Sequence, residues 1–310
     1  MPRQRQPFPE VIDSSMISHF KACPRKFYYE YICHWKPAQE SVHLVAGKAF
    51  ASGIEAARRA FFVERLPSLD AQAQGLRALF QEYGTFECPE DSPKGPLKMA
   101  GALTYYFEQY PLGADGAVPE RFGDRRGIEF SFLEPIPDST HPETGNPLLY
   151  SGRADMVAQA FGGRFIYDEK TTSQLGATWA NKWDHRSQFT GYCWGLRGFG
   201  IQPTGCVVRG VSILKADYGT AQAITYRSSW EVDRWLEMLQ HQLTLMRQYW
   251  ERDWWPMNLD DSCVAYGGCT FSRVCKSQNP DGWLRIHFHR RKWDPVSRVE
   301  TDLPLLEETE

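Results

Sequence analysis

The sequence of 310 residues has no run of eighteen or more apolar residues, and its opening stretch MPRQRQPFPE contains no apolar segment of the secretory kind. The first absence argues against a membrane-spanning helix, and the second argues against an export signal. We therefore expect a cytoplasmic protein without a membrane partner. The phosphate-binding motif G-x-x-x-x-G-K-[ST] is also missing, so the sequence contains no P-loop of this kind.

An excess of positive charge is missing as well, because the formal net charge is −3. The chain as a whole does not attract nucleic acid, so DNA binding depends on local basic clusters and aromatic faces. Candidate phosphate contacts and candidate stacking surfaces for a single strand come from two stretches, 121–126 and 179–186. The cations are Arg121, Arg125, Arg126, Lys182 and Arg186, and the aromatic surfaces are Trp179 and Trp183.

The hydrophobic content of 42% is enough for a sizeable core, and no internal repeat divides the chain. Apolar residues at helical spacing predict helices over 15–31, broken near Pro24, and over 47–62, 72–83 and 177–196, and Ser228-x-x-Glu231 predicts the start of another. Alternating residues predict strands over 128–133, 148–161, 164–171 and 205–215. We therefore predict a single α/β domain over 1–310, with a central mixed sheet flanked by helices. Its parts are a helical region over 47–120 and a catalytic core over 128–215.

The stretch YSGRADMVAQAFGGRFIYDEKTTS, residues 150–173, has Gly162-Gly163 between two alternating runs. Both central positions of a type I′ turn need positive φ, so Gly-Gly predicts a two-residue hairpin turn. In that register Asp155 lies opposite Lys170. Directly opposed residues share a face, so we expect Asp155, Asp168 and Lys170 on one face and the Glu169 side chain on the other.

Two neighbouring carboxylates are costly to bury unless a cation neutralises them. A Mg²⁺ or Mn²⁺ ion on Asp155 and Asp168 would do so, and it would keep open positions for water and a phosphate oxygen, as phosphodiester hydrolysis requires. Lys170 would then orient or deprotonate the water, or stabilise charge on the phosphate. The alternative is that Lys170 only pairs with Asp155 across an exposed strand.

The next predicted helix carries Gln188 and Tyr192 four residues apart, so the two side chains share a face. Together with the preceding motifs they complete an ordered set: Gly152-Arg-Ala-Asp155, Asp168-Glu-Lys170 and Gln188-Phe-Thr-Gly-Tyr192. In order and spacing this set resembles the G-x-x-D, (D/E)-x-K and Q-x-x-x-Y motifs of PD-(D/E)XK nucleases, in their RecB-like branch.

The resemblance implies a restriction-endonuclease-like core that hydrolyses DNA, as an exonuclease rather than an endonuclease, on single-stranded or end-containing substrates. The implied site residues are Asp155, Asp168, Glu169, Lys170, Gln188 and Tyr192. The two aspartates and the carbonyl of Glu169 would hold Mg²⁺ or Mn²⁺, the lysine would be catalytic, and the last two would support the site. A helicase or a recombination or adaptation protein is the implied partner.

Three cysteines, Cys263, Cys269 and Cys275, follow one another with five residues between neighbours, and Cys23 lies near the start of the chain. Four such thiolates suit either zinc or an iron–sulfur cluster, and gaps of five residues favour the larger cluster over zinc knuckles. The pattern resembles the iron–sulfur members of the RecB-like group, which include CRISPR-associated and phage exonucleases and AddAB-type nucleases. The resemblance implies a [4Fe–4S] cluster in a patch formed by 14–35 and 255–280.

One position departs from the family pattern. Relatives commonly carry G-x-x-x-H at the start of the first long helix, with the histidine as a further metal ligand, whereas this chain has Gly47 followed by Ala51. Glu129 lies where many relatives carry an acidic residue that assists the site. Because Ala51 replaces the metal-binding histidine, the alternative to an active nuclease is a weakened or inactive protein that binds DNA ends as an adaptor.

Overall fold

The computed structural model describes residues 5–264 and 268–305. The chain forms two compact units, each assembled from separate segments. The first is drawn from Met1–Gln39, Phe132–Gly152 and Asp233–Glu310, and the second from Glu40–Ser131 and Arg153–Val232. One domain over 1–310 stays a prediction. Strands and helices are numbered in chain order.

The sheet of the second unit is mixed. Strand β7 (Leu149–Ala160), which belongs to this unit from Arg153 onward, pairs antiparallel with β8 (Gly163–Thr172). Strand β8 pairs in parallel with β9 (Gly205–Ile213), and β9 pairs antiparallel with β10 (Tyr218–Tyr226). Strand β3 (Val118–Pro119) adds two residues to the other edge of β7. A mixed central sheet was predicted from the sequence, and this prediction is confirmed.

The predicted hairpin exists, but its turn lies one residue earlier than Gly162-Gly163. Ala160 pairs with Gly163, so Phe161 and Gly162 are the two central residues, and both have positive φ, 50° and 73°. Gly163 belongs to the strand because it pairs with Ala160, and a Cβ there would lie 2.7 Å from the Thr204 hydroxyl. The register therefore differs by two residues from the prediction. A shift of two keeps every side chain on its predicted face.

Three long helices of the second unit pack together: α3 (Val42–Phe62), α4 (Ser68–Tyr83) and α5 (Pro96–Gln109). Gly53 and Gly75 let α3 and α4 approach closely, since a Cβ on Gly75 would lie 2.6 Å from the Gly53 carbonyl oxygen. The apolar faces of these helices cover Val211 and Ile213 of β9. The helices predicted over 47–62 and 72–83 are confirmed, and each begins earlier than expected.

The helix predicted over 177–196 is wrong in its first half. A short 3₁₀ turn, Asn181–Trp183, precedes the α-helix, α6 (Ser187–Leu196). Nη2 of Arg227 donates to the Trp183 carbonyl at 3.0 Å, and the Arg186 N–H donates to the same oxygen at 3.1 Å. A continuous helix would need that carbonyl for the N–H four residues on, so the helix starts only at Ser187.

Shorter strands precede β7. Strands β4 (Arg121–Phe122) and β5 (Arg125–Arg126) form a small hairpin, and β6 (Ile128–Pro135) follows.

Tyr167 and Phe165 of β8 pack with Met156 and Val207 in a second apolar cluster of this unit. Helices and buried strands therefore surround the middle of β7 and β8.

The first unit contains most of the remaining elements. Its helices are α1 (Ser14–Ala22), α2 (Pro24–Phe27), the π-helix Tyr28–Ile32, α8 (Asp261–Val264), α9 (Ser272–Lys276) and α10 (Pro280–His287). Its strands are β1 (Val11–Asp13), which runs parallel to 149–151 of β7, and the three-stranded sheet of β2 (Trp35–Pro37), β11 (Phe288–Asp294) and β12 (Val299–Asp302). The predicted helix over 15–31 does break at Pro24.

Helix α7 (Ser229–Glu251) begins with the predicted capping box. The N–H of Glu231 donates to the Ser228 hydroxyl at 3.2 Å, and the N–H of Ser228 donates to the Glu231 carboxylate at 2.7 Å. The buried side of the helix carries Trp235, Leu239 and Met246. Among the described residues, no helix combines the length and the apolar character needed to cross a membrane.

Candidate functional site

Asp155 lies in β7, just beyond the last paired residues of the hairpin, Met156 and Tyr167. Its Oδ2 accepts a hydrogen bond from the backbone N–H of Glu169 at 3.0 Å, so a side chain takes over where the strand pairing ends. Burial raises the pKa of Asp155 well above its ordinary value, and the charges of Asp168 and Glu129 raise it further. A bound cation would relieve this repulsion.

Asp168 and Lys170 lie on the same face of β8. Nζ of Lys170 is 2.6 Å from Oδ2 of Asp168, whose side chain is 2% exposed. Burial raises the pKa of Asp168, and the nearby Lys170 offsets part of that rise. Burial acts to lower the pKa of Lys170, but Asp168 and Asp155 outweigh it and the pKa is raised. The alternative pairing of Lys170 with Asp155 across an exposed strand is wrong, because the ion pair joins Lys170 to a buried carboxylate of its own strand.

The Glu169 side chain points away from Asp168 and Lys170, as predicted. Its Oε2 accepts from Nη1 of Arg58 at 3.0 Å, and its Oε1 accepts from Nη2 of the same guanidinium. The Tyr106 hydroxyl also donates to Oε1, at 3.0 Å. Burial acts to raise the pKa of Glu169, but Arg58 outweighs it and the pKa is lowered. The Glu169 side chain is therefore committed to Arg58 and Tyr106, which leaves only its backbone for the site.

Arg58 belongs to none of the sequence motifs, although one feature of its helix indicates a buried partner. Arg58 is 4% exposed and lies on the buried stripe of α3, in line with Phe50 and Ile54. A charged residue at a core-facing position of an amphipathic helix requires a buried partner. The partner could not be named from the sequence, because Arg58 and Glu169 are 111 residues apart.

Gln188 and Tyr192 lie on α6 and contact each other. Nε2 of Gln188 donates to the Tyr192 hydroxyl at 2.8 Å, and Tyr192 is 3% exposed. After burial and the two aspartates, Tyr192 is among the smaller influences on the pKa of Lys170. The predicted helical face therefore lies within electrostatic reach of Lys170.

Glu129 lies near the start of β6 with a positive φ of 48°, which is unusual for a residue with a side chain. Its Oε2 is 2.8 Å from Nε of Arg153. Burial raises the pKa of Glu129 to about 7, Arg153 opposes this rise, and Glu55 adds to it. Because Glu129 also raises the pKa of Asp155, this acid belongs to the same electrostatic neighbourhood.

Ala51 is an exposed residue of α3 and offers only a methyl group where relatives carry histidine. One turn earlier, a Cβ on Gly47 would lie 4.0 Å from the Thr171 hydroxyl, which places this helix beside the end of β8. Arg58, two turns later, binds Glu169 of the same strand. The position of Ala51 therefore lies between two contacts with β8, as a ligand position would require.

The donor atoms of this site suit a hard cation. Asp155 and Asp168 contribute carboxylate oxygens, and carboxylates and carbonyls are the ligands that Mg²⁺ and Mn²⁺ prefer. Both acids have raised pKa values because they are buried, and a divalent cation would compensate for that burial. Across 5–264 and 268–305, no three His, Cys, Asp or Glu side chains form a group able to hold a metal ion. The set therefore consists of two carboxylates with backbone and solvent.

The four candidate cluster ligands lie in the first unit. The Asn258 N–H donates to Sγ of Cys23 at 3.4 Å, and Sγ of Cys263 donates to the Asn258 carbonyl at 3.8 Å. The N–H of Cys269 donates to the Cys263 carbonyl at 2.8 Å. Burial raises the pKa of Cys275 to about 11, and Cys269 and Cys23 raise it further. The four thiols therefore share one neighbourhood.

The cysteines nevertheless do not fit a cluster as they are placed. Within the described part of the chain they form no group of three that could hold a metal. The [4Fe–4S] expectation is not confirmed.

The candidate stacking surfaces are wrong. Trp179 and Trp183 are 5% and 6% exposed and contact each other edge to face, so neither presents a ring to a DNA base. Nζ of Lys182 lies over the Trp183 ring at 4.6 Å, while the lysine and Arg186 are exposed. Their role as phosphate contacts stays a prediction.

Comparison with known proteins identifies a family. The profile of the PD-(D/E)XK nuclease superfamily matches residues 14–276. No curated protein matches the chain. Among solved structures, the protein SSO0001 is 13% identical with a TM-score of 0.35, over 77% of this chain and 77% of that chain. A candidate exonuclease from Eubacterium rectale is 12% identical with a TM-score of 0.46, over 83% of this chain and 88% of that chain. Because the profile covers far more than half of the sequence, the chain belongs to the PD-(D/E)XK nuclease superfamily.

Proposed function

We propose that this chain is a metal-dependent DNA nuclease of the RecB-like kind, acting as an exonuclease. The observation that carries the proposal is the pair of buried carboxylates, Asp155 and Asp168, next to a charged Lys170. Asp155, Asp168 and the carbonyl of Glu169 would hold Mg²⁺ or Mn²⁺. When bound, the metal would activate a water molecule and neutralise charge on the phosphate.

Lys170 would act as a cation in this reaction. A lysine amine is ordinarily protonated at neutral pH, and the 2.6 Å ion pair with Asp168 favours this charged form. A protonated amine donates hydrogen bonds and cannot accept a proton from water. Of the roles open to it, orienting the water and stabilising charge on the phosphate are therefore favoured over deprotonation.

Gln188 and Tyr192 would limit the movement of Lys170. The hydrogen bond between them fixes both side chains on α6, and Tyr192 is buried. Neither side chain carries a charge that would compete with the aspartates for the ammonium group. Their role is therefore support of the lysine, with the phosphate bound on its exposed side.

The exposed Ala51 favours a second candidate function. Without a histidine at this position the metal would have one ligand fewer, and the chain would bind DNA ends as an adaptor with weak or no cleavage. This function predicts DNA binding with no turnover in any divalent metal.

For the cysteines we propose a [4Fe–4S] cluster on Cys23, Cys263, Cys269 and Cys275. The proposal is supported by the shared neighbourhood of the four thiols, and it requires the sulfurs to move together and lose their protons. Protein purified without oxygen should contain about four iron and four sulfide per chain. Bound zinc, or no metal, would contradict it.

We also infer a single-domain cytoplasmic protein whose substrate is single-stranded or end-containing DNA. Cleavage of duplex DNA would be aided by a helicase or by a recombination or adaptation partner. Co-purification of the chain with such a protein from its native source would support a partner, and processive cleavage of long duplexes by the chain alone would contradict it.

The function can be tested with DNA labelled at its 5′ or 3′ end, in Mg²⁺ and in Mn²⁺. Wild-type protein should shorten the DNA stepwise, and Asp168→Asn should not. The matched control is Asp124→Asn, which makes the same change at an exposed position. Cleavage only in an Ala51→His variant would favour a nuclease that lacks a ligand. DNA binding without cleavage by either protein would favour the adaptor.

A further inference from the structure

On the basis of the proposed function, we propose that Arg58 is a positioning residue for the metal-binding strand. By holding the Glu169 carboxylate, Arg58 would fix the backbone of β8 between Asp168 and Lys170. That backbone provides the N–H that binds Asp155 and the carbonyl that would bind the metal. The affinity of the site for a divalent cation would therefore depend on an arginine that does not touch the cation.

Two parallel hydrogen bonds join the Arg58 guanidinium to the Glu169 carboxylate. Nη1 donates to Oε2 at 3.0 Å, and Nη2 donates to Oε1. A guanidinium that binds both oxygens of a carboxylate fixes its orientation as well as its distance. Arg58 is 4% exposed and the Glu169 side chain is 2% exposed, so water does not replace either contact.

Tyr106 of α5 completes this arrangement. Its hydroxyl accepts from Nη2 of Arg58 at 3.1 Å and donates to Oε1 of Glu169 at 3.0 Å. The hydroxyl also accepts from Nη1 of Arg209 at 3.4 Å. The Glu169 carboxylate is thus held from two helices, α3 and α5, and has little freedom to rotate.

The side chain and the backbone of Glu169 act on opposite faces of the strand. Alternation places Glu169 on one face and Asp168 and Lys170 on the other. A rotation of residue 169 would therefore move the two functional side chains and break the 3.0 Å bond to Asp155. Together with the pairing of β8 to β9, the contact of Arg58 with Glu169 opposes that rotation.

A purely structural role is the competing explanation. A buried ion pair adds little net stability compared with apolar residues, although breaking one partner destabilises the fold. Both roles predict a lower unfolding midpoint for an Arg58 variant. Only the positioning role predicts that metal affinity changes more than in an equally destabilised control.

The chain offers such a control in Arg290. Arg290 is 7% exposed, and it donates from Nε to the Cys33 carbonyl at 3.2 Å and from Nη1 to the Pro304 carbonyl at 2.9 Å, so it is a second buried arginine held by two oxygens. Neither oxygen belongs to the strands that carry the candidate ligands. Arg58→Lys and Arg290→Lys keep the charge and remove the paired hydrogen bonds.

The experiment is calorimetric titration of Mn²⁺ into folded wild-type, Arg58→Lys and Arg290→Lys proteins, with unfolding midpoints measured in parallel. Loss of an indirect ligand-orienting contact typically weakens metal binding by about 10- to 100-fold, and we expect a change of this size in Arg58→Lys. Arg290→Lys should bind Mn²⁺ with the affinity of wild type. If Arg58→Lys does not fold, Tyr106→Phe replaces it, with a smaller loss of affinity expected.

Equal Mn²⁺ affinities in wild type and Arg58→Lys would overturn the inference, as would equal losses in the two arginine variants. If wild-type protein cleaves no DNA but the affinities differ as expected, the proposed nuclease activity fails and the positioning role stands. Wild-type protein that binds no Mn²⁺ would overturn both.

Discussion

Nζ of Lys170 lies 2.6 Å from Oδ2 of Asp168, two residues earlier in the same strand. The lysine side chain is 33% exposed and that of the aspartate is 2% exposed, so the cation extends from the surface to a buried anion. This relationship makes Lys170 both the counter-ion of a candidate ligand and a charge available to a bound phosphate.

Replacing Lys170 by Met should reduce DNA cleavage by about 100-fold or more, which is the usual cost of removing one charge-stabilising donor. The variant also leaves Asp168 buried without its counter-ion, so a lower unfolding midpoint should accompany the loss. Single-turnover cleavage rates measure the effect. Lys170→Arg, which keeps the charge, should retain more activity than Lys170→Met, and a Lys170→Met variant as active as wild type would contradict the role.

Mn²⁺ should raise the unfolding midpoint of wild-type protein, and a chelator should reverse the effect. A ligand at 100 times its Kd adds about 2.7 kcal/mol to the free energy of unfolding. Asp155→Asn and Asp168→Asn should lose this shift, whereas Asp124→Asn should keep it. An undiminished shift in Asp168→Asn would place the metal elsewhere.

Glu30 should contribute to stability at neutral pH and lose that contribution in acid. Burial acts to raise the pKa of Glu30, but His19 and Lys36 outweigh it and lower the pKa from 4.5 to about 2. A depressed folded pKa means that the stabilisation is present above pH 4.5 and is lost as the pH falls toward 2. The corresponding free energy is on the order of 3 kcal/mol.

Denaturant unfolding of wild type and Glu30→Gln over this pH range tests the assignment. The variant should be less stable at neutral pH and should lose less stability in acid. Glu64→Gln, at an exposed position, should follow wild type. Parallel acid profiles for wild type and Glu30→Gln would contradict the assignment.

Gly75→Ala should destabilise the second unit by about 1–3 kcal/mol, because the new methyl group would overpack the contact between α3 and α4. The Cβ would lie 2.6 Å from the Gly53 carbonyl oxygen and 3.0 Å from Cβ of Ala57. The higher helix propensity of alanine acts in the opposite direction by about 1 kcal/mol. Gly176→Ala, where no atom lies within 4 Å, is the control for thermal unfolding. A stabilised Gly75→Ala variant would contradict the close approach.

Much of the fold could be predicted from the spacing of apolar residues along the sequence. The strands around 150–172, the break at Pro24 and the capping box of α7 all appear where local patterns predicted them. The faces of Asp168, Glu169 and Lys170 were also predicted, although the turn was misplaced. The misplaced turn did not change the predicted faces, because strand alternation has a period of two and the register differs by two residues.

The failures have tertiary causes. The helix predicted from residue 177 is interrupted because Arg227 takes the Trp183 carbonyl, and the tryptophans predicted to be exposed are buried. Gly163 was predicted to lie in the turn, but it belongs to β8, where a Cβ would lie too close to the Thr204 hydroxyl. In each case a residue distant in sequence changes the outcome, and local spacing carries no information about it.

The sequence by itself determined the order of the motifs, the superfamily and the face on which the two aspartates and the lysine lie, because alternation and spacing are local properties of the chain. Tertiary structure decided which partners these side chains acquire. Lys170 pairs with Asp168, Glu169 is held by Arg58 and Tyr106, and Asp155 accepts the N–H of Glu169. These contacts depend on how helices and strands pack, and a buried charge takes the partner that packing brings within reach.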